Sequence, residues 1–188
     1  MNYLEIIFLS LALSLSVFKL LMNAGIAQCY TASERFRIAL VFALFKSLLL
    51  LLGYWITSLF SSLIEDSGNI IMMAIFLVLG LKMIFDAIKV KPGERTFQLD
   101  HTIILVLIAV AANIDGFIAG IAFAFAGTKI LLTSGILFIF SLFVSWNALI
   151  YGEKSGNFLM ASRVNIAGGF LMLAYALFLF FDNAGGII

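Results

Sequence analysis

The chain has 188 residues, of which 64% are hydrophobic and 11% charged, with a formal net charge of +1 and a mean hydropathy of +1.19. A soluble domain of this length cannot hide so much apolar surface, so the composition excludes a water-soluble globule and leaves a polytopic membrane protein. The single cysteine, Cys29, excludes an internal disulfide. The lone His101, beside Asp100 at a helix entrance, reads as a surface histidine, because no Cys/His cluster accompanies it.

A helix needs about 20 apolar residues to cross a bilayer. Six stretches meet that demand: Leu4–Ala27, Ile38–Phe60, Ile70–Ile88, Thr102–Ala126, Ile130–Tyr151 and Val164–Phe181. The first lacks a basic leader and a small-residue cleavage motif, so it reads as a span and not as a removable signal. The breaks between spans are short: Gln28 to Arg37, Ser61 to Asn69, Lys89 to His101, the tight Gly127-Thr128-Lys129 turn, and Gly152 to Arg163. Pro92 and Gly93 mark the third break as a turn. No strand-like alternation is visible, so the expected fold is an all-α membrane bundle in one transmembrane domain, 1–188. Basic residues crowd the odd-numbered loops: Arg35, Arg37, Lys89, Lys91, Arg95, Lys154 and Arg163. The other side has only Lys129, with acidic Glu5, Glu65, Asp66 and Asp182. The positive-inside rule therefore puts the odd loops in the cytoplasm and both termini outside it.

The two halves resemble each other. Ser14-Leu-Ser16-Val-Phe18 in the first span matches Asn113-Ile-Asp115-Gly-Phe117 in the fourth, and Gly53 matches Gly152 at the same offset. Leu79-Gly80 resembles Ala167-Gly168 at a somewhat shorter offset. Three helices repeated once must be inserted in opposite senses, which gives two inverted repeats, 1–90 and 101–188, joined by a cytoplasmic linker, 89–101. Transporters with such repeats bind cargo near the midplane where the repeats meet. By that logic Ser14 and Ser16 should face Asn113 and Asp115.

Asp115 is the focus of this pattern. A carboxylate within hydrocarbon costs roughly 2.5–3.5 kcal/mol on insertion scales, so such a group usually faces a protein-lined interior and has a role there. On the same stretch Ala112, Gly116, Gly120 and Ala124 recur every fourth residue, a stripe that allows another backbone to approach closely. Two lysines lie at comparable depth. Lys46 is nearly central in its span, and Lys19 shares a helix face with Ser16 and Asn23. A buried ammonium calls for an anionic partner, so Asp115 is expected to pair with Lys46, Lys19 or both; each lysine snorkelling separately is the structural alternative. Lys82 and Asp86, at i,i+4, read as a local pair. Ser145, the repeat partner of Lys46, is weak evidence because helical serines bond back to their own carbonyls. Asn147 could supply an amide oxygen.

Taken together, the chain resembles the MntP-type manganese efflux pumps, within the wider superfamily of lysine-exporter-like proteins. The likeness runs through Ser14-Leu-Ser-Val-Phe18, Leu40-Val-Phe42 with Lys46 and Gly53-Tyr54, Leu79-Gly-Leu-Lys-Met-Ile-Phe-Asp86, Asn113-Ile-Asp-Gly116 and Ala167-Gly-Gly169. It implies a multi-pass protein of the bacterial inner membrane that exports a divalent cation such as manganese, with Asp115, Asn113, Ser14, Ser16 and Asn147 as candidate ligands. The family's first-span aspartate is Ser16 here, and its second-span glutamate is Lys46. Two other readings remain open: the same fold carrying a different small solute, and a structural or regulatory membrane protein that uses a Lys–Asp pair as internal glue. The expected partners are the lipid bilayer and a small ion or solute. No nucleophile–base set, cofactor motif or basic patch points to an enzyme, a bound cofactor or nucleic-acid binding.

Overall fold

A computed structural model describes residues 3–60, 68–89, 102–155 and 158–185, without the side chains of 89, 155, 158 and 182–185. The sequence readings for Pro92, Gly93, His101, Glu65, Asp66, Lys91 and Arg95 lie outside the described residues. Among those described, the secondary structure is helical throughout: α1 (Tyr3–Ser14), a 3-10 turn (Leu15–Val17), α2 (Phe18–Ala27), α3 (Ala32–Ser58), α4 (Gly68–Lys89), α5 (Thr102–Ala112), α6 (Ile114–Phe125), α7 (Ile130–Ser155) and α8 (Phe158–Gly185). Among the described residues, five continuous stretches are long and apolar enough to cross a membrane, and α5 with α6 makes a sixth if that bent pair counts as one span.

Several helices outrun their apolar runs. The expectation that the second span starts at Ile38 gives way to a start at Ala32, because Thr31 and Glu34 form a reciprocal capping box. The two satisfy each other's backbone donors, so the polar Ser33–Arg37 turn is held in the helix. Likewise α7 continues to Ser155 and α8 begins at Phe158, which narrows the break expected from Gly152 to Arg163. The turn at Gly127 is tight as expected, and its φ of +59° is a conformation glycine adopts without steric penalty.

Packing is close where the sequence is small. A Cβ at Gly120 would strike the carbonyl oxygen of Leu50, and one at Gly53 would strike that of Phe117, so α3 and α6 run backbone against backbone. A second seam joins α7 to α2. There a Cβ at Gly152 would strike the Met22 carbonyl, and one at Gly25 would sit 2.5 Å from that of Leu149. At a third crossing Gly80 lies against the carbonyl of Gly169, and Gly169 against the carbonyl of Gly80, at 3.0 and 2.9 Å from a built Cβ.

The interior divides into two apolar clusters. One gathers Leu13, Leu50, Phe76, Ala119, Phe123 and Leu137. The other gathers Val17, Phe42, Leu105, Ala109, Val144 and Ala148. Every long helix but α4, which joins the first cluster alone, contributes to both, and between its two contributions several carry buried or half-buried polar residues: Ser14 and Ser16, Lys46, Asn113 and Asp115, and Ser141. The bundle thus carries a polar layer between two greasy ones.

Candidate functional site

Both Ser14–Phe18 and Asn113–Phe117 sit where a helix is interrupted. In the first, the Ser14 and Ser16 hydroxyls donate to the carbonyls of Leu11 and Leu13, three residues back, at 2.7 and 2.9 Å. Such back-bonding competes with the helical ladder and suits a tightened 3-10 turn. In the second, the span expected to run unbroken from Thr102 to Ala126 is bent by 41° between α5 and α6. Asn113 leaves the helical geometry there, at φ −101° and ψ 15°. Its side-chain amide donates to Ala109 O at 2.8 Å and across to Phe42 O on α3 at 3.1 Å, which adds a tie between helices to the local backbone bonding. A break of this kind is tolerated in an apolar span only where protein groups satisfy the freed backbone.

Asp115 stands in the first turn of α6, near the positive end of that half-helix, and is 3% exposed. Its Oδ1 accepts the backbone N–H of Gly116 at 2.9 Å. Its Oδ2 lies 3.4 Å from the Nζ of Lys46, which is itself fully buried. The same ammonium donates to Ser16 Oγ at 2.7 Å, so Lys46 joins the two interruptions through one group. Gly116 makes room for this: a Cβ there would come within 3.0 Å of the Lys46 carbonyl. Gly120 continues the seam against α3, while Ala112 packs on the second cluster and Ala124 is half-buried further along.

The pairing with Asp115 belongs to Lys46 alone among the described contacts, which corrects the alternative that Lys19 takes part. The Lys19 ammonium donates instead to the carbonyls of Asp86 and Ala87 at the end of α4, at 2.7 and 2.8 Å. Four unpaired carbonyls terminate every helix, and a cation there is favoured by the dipole as well. Two more donors serve the same helix end: Ser162 Oγ to Ala87 O at 3.1 Å and Asn165 Nδ2 to Met83 O at 3.2 Å. Asn147 is half-buried, and its Nδ2 donates to Phe143 O of its own helix at 2.7 Å, a bond that leaves the amide oxygen uncommitted. Lys82 and Asp86 form the expected local pair at 4.0 Å, with both side chains about half exposed.

Three fully buried hydroxyls carry a signal that sequence reading missed. Ser10, Ser141 and Ser145 have no hydrogen-bond partner for Oγ, although a carbonyl one turn back lies within reach of any helical serine. Asn113 Oδ1 is likewise buried without a partner. The i,i+4 spacing of Ser10 with Ser14, and of Ser141 with Ser145, was the available clue.

The chemistry on hand is one carboxylate, one amide oxygen and several hydroxyls, with an ammonium held among them. Among the described residues no group of three or more His, Cys, Asp or Glu side chains comes together. A family model described as "Putative manganese efflux pump" matches residues 29–180. The chain is 28% identical to the putative manganese efflux pump MntP 1 of Wolinella succinogenes, covering 81% of this chain and 84% of that one. It is 28% identical to MntP 2 of Clostridium botulinum over 97% of this chain and 96% of that one. For the MntP of Methanosarcina mazei the figures are 29% and 92% of each. No solved structure matches.

Proposed function

Because the chain belongs to the family described as "Putative manganese efflux pump", we propose that it exports a small divalent cation of the manganese kind, bound between the two helix interruptions. The observation that carries this reading is a carboxylate, Asp115, buried at a bent span with the unmet Oδ1 of Asn113 beside it in sequence. Asp115 and Asn113 are the principal ligands in this proposal, and Ser14 and Ser16 supply hydroxyls from the opposite interruption. Manganese is a hard cation that favours several oxygen ligands, anionic ones included. A divalent ion reaches Asp115 Oδ2 only when the Lys46 ammonium swings aside, so cargo binding and the movement of Lys46 are one event.

Alternating access in this proposal comes from two inverted repeats, 1–90 and 101–188. Its support is the reciprocity of the seams: α3 lies on α6 through Gly53 and Gly120, and α7 on α2 through Gly152 and Gly25. Gly80 and Gly169 back onto each other. The basic loop residues support an orientation with both termini outside the cytoplasm.

A second reading is favoured by the Lys46–Asp115 pair itself. With the one carboxylate of the layer already neutralised, the same fold would suit a monovalent, zwitterionic or neutral solute. Thermal unfolding in detergent, scanned across Mn, Cd, Zn, Ca and Mg, separates the two. The divalent reading expects stabilisation by manganese, its loss in Asp115→Ala, and loss of manganese resistance in a sensitive host carrying that variant. It also expects Ser16→Asp with Lys46→Glu to raise export. A wild type that neither binds nor protects against any divalent metal leaves only the second reading.

A further inference from the structure

Two groups of helical serines contrast in this bundle, apart from Ser162, which donates across to α4. Ser14, Ser16, Ser47, Ser58 and Ser134 each donate to the carbonyl three residues back. Ser10, Ser141 and Ser145 do not, and all three are 0% exposed with Oγ unmet by any protein group. A buried hydroxyl without a partner carries a desolvation cost on the order of 1–3 kcal/mol. Turning each hydroxyl back to its own helix would remove that cost, so their direction into the interior needs a reason.

Position supplies it. Ser141, Ser145 and Gly152 recur at intervals of four and seven on one face of α7, and Gly152 is the residue that backs against Met22 of α2. Ser10 and Ser14 form the matching row on α1, continued beyond the 3-10 turn by Met22 and Gly25, which meet α7. Because α1 also packs on α7, the seam at Gly152 continues to the level of the two rows. Along it, Ser10 lies among Leu9, Ala12 and Leu13 of the first apolar cluster, and Ser145 between Val144 and Ala148 of the second. Ser14 and Ser141 lie at the level between. Four residues of helix rise about 6 Å, so each row leads one full turn into an apolar cluster.

We propose that Ser10, Ser141 and Ser145, with Ser14, form a hydroxyl track between α1 and α7 that passes a small, partly hydrated cation through the polar layer. Hydroxyls suit that task because each both donates and accepts, and can hold an ion's remaining water without binding the ion tightly enough to trap it. The track rests on the reading of the protein as a cation exporter but does not depend on which cation is carried.

The test uses the full chain in proteoliposomes, with exposed Cys29 changed to Ser. Ser10→Cys, Ser141→Cys and Ser145→Cys are exposed in turn to the cationic thiol reagent aminoethyl methanethiosulfonate. Leu9→Cys and Leu137→Cys, equally buried on the same two helices, serve as controls. The track predicts labelling at least tenfold faster at the three serine positions than at the controls. Rates equal to the controls overturn it. As a second measurement, the triple variant S10A/S141A/S145A is expected to unfold at no lower a temperature than the wild type, since three unpartnered buried hydroxyls are removed, and to lose at least tenfold in cation flux; unchanged flux also overturns the proposal. Fast labelling in a protein that carries no manganese would remove the manganese reading and leave the track standing.

Discussion

Lys46 and Lys19 are both sequestered in an apolar bundle, 0% and 7% exposed, and they are stabilised in opposite ways. Lys46 meets two side chains, the carboxylate of Asp115 and the hydroxyl of Ser16, contributed by two different interrupted spans. Lys19 meets two main-chain carbonyls at the end of one helix. The first partners exist only because this sequence provides them; the second exist at the end of any helix. An intramembrane lysine therefore points to a site when its partners are side chains, and to a cap when they are backbone. Between these two, the site is at Lys46.

The most damaging way to break the comparison is to remove one member of the Lys46 pair. Lys46→Met strands the Asp115 carboxylate in the buried layer, and Asp115→Asn strands the ammonium. Each is expected to cost about 3–5 kcal/mol, since removal of one partner leaves an uncompensated buried charge. The double variant Lys46→Met with Asp115→Asn should recover most of that loss, because neither charge remains. Reversible unfolding in mixed micelles measures all three. Additive losses in the double variant would show that the pair is not the unit of stability.

Lys19 should respond less, and independently. Lys19→Met removes two charge-assisted bonds; Ala87 O keeps Ser162 as a donor while Asp86 O loses the lysine, so a loss of about 1–3 kcal/mol is expected. Lys19→Arg should restore part of it, because an arginine still places donors at the helix end. Combined with Asp115→Asn, Lys19→Met should add within about 0.5 kcal/mol, the behaviour of sites that share no partner. A coupling above about 1 kcal/mol would tie Lys19 to the site after all.

The spans were legible because hydropathy alone decides where a helix can cross. The Gly116–Gly120 stripe was legible as a close-packing face for the same kind of reason, since only small side chains permit backbone contact. The bend at Asn113 was not. Its run from Thr102 to Ala126 is apolar on both sides, and what breaks it is a side-chain bond to Phe42 O on a helix 71 positions away in sequence. The role of Lys19 was hidden for a related reason, because a carbonyl acceptor leaves no mark on residue identity. Asp115 could be reached by elimination as the partner of a buried lysine, being the one carboxylate at that depth, but the choice of Lys46 over Lys19 could not. Ser145 was discounted on the general habit of helical serines, and it is an exception to that habit.

Lys82 completes the comparison at its weak end. It pairs with Asp86 at 4.0 Å one turn along α4, with side-chain exposures of 47% and 57%. Both groups are free to reorient, and the lysine stem is long enough to carry its charge toward the end of the helix. Exposed i,i+4 pairs are worth little because each partner keeps most of its solvation without the other. Lys82→Ala is therefore expected to change unfolding stability by no more than about 0.5 kcal/mol, and removal of Asp86's charge in Asp86→Asn should do the same. The α4 end should lose far less in Asp86→Asn than in Lys19→Met, because Lys19 is hydrogen-bonded to the backbone carbonyl of Asp86 and meets its carboxylate only through space. If Asp86→Asn weakened the protein as much as Lys19→Met, the cap would depend on a side-chain charge, and the distinction between a lysine at a site and a lysine at a helix end would fail.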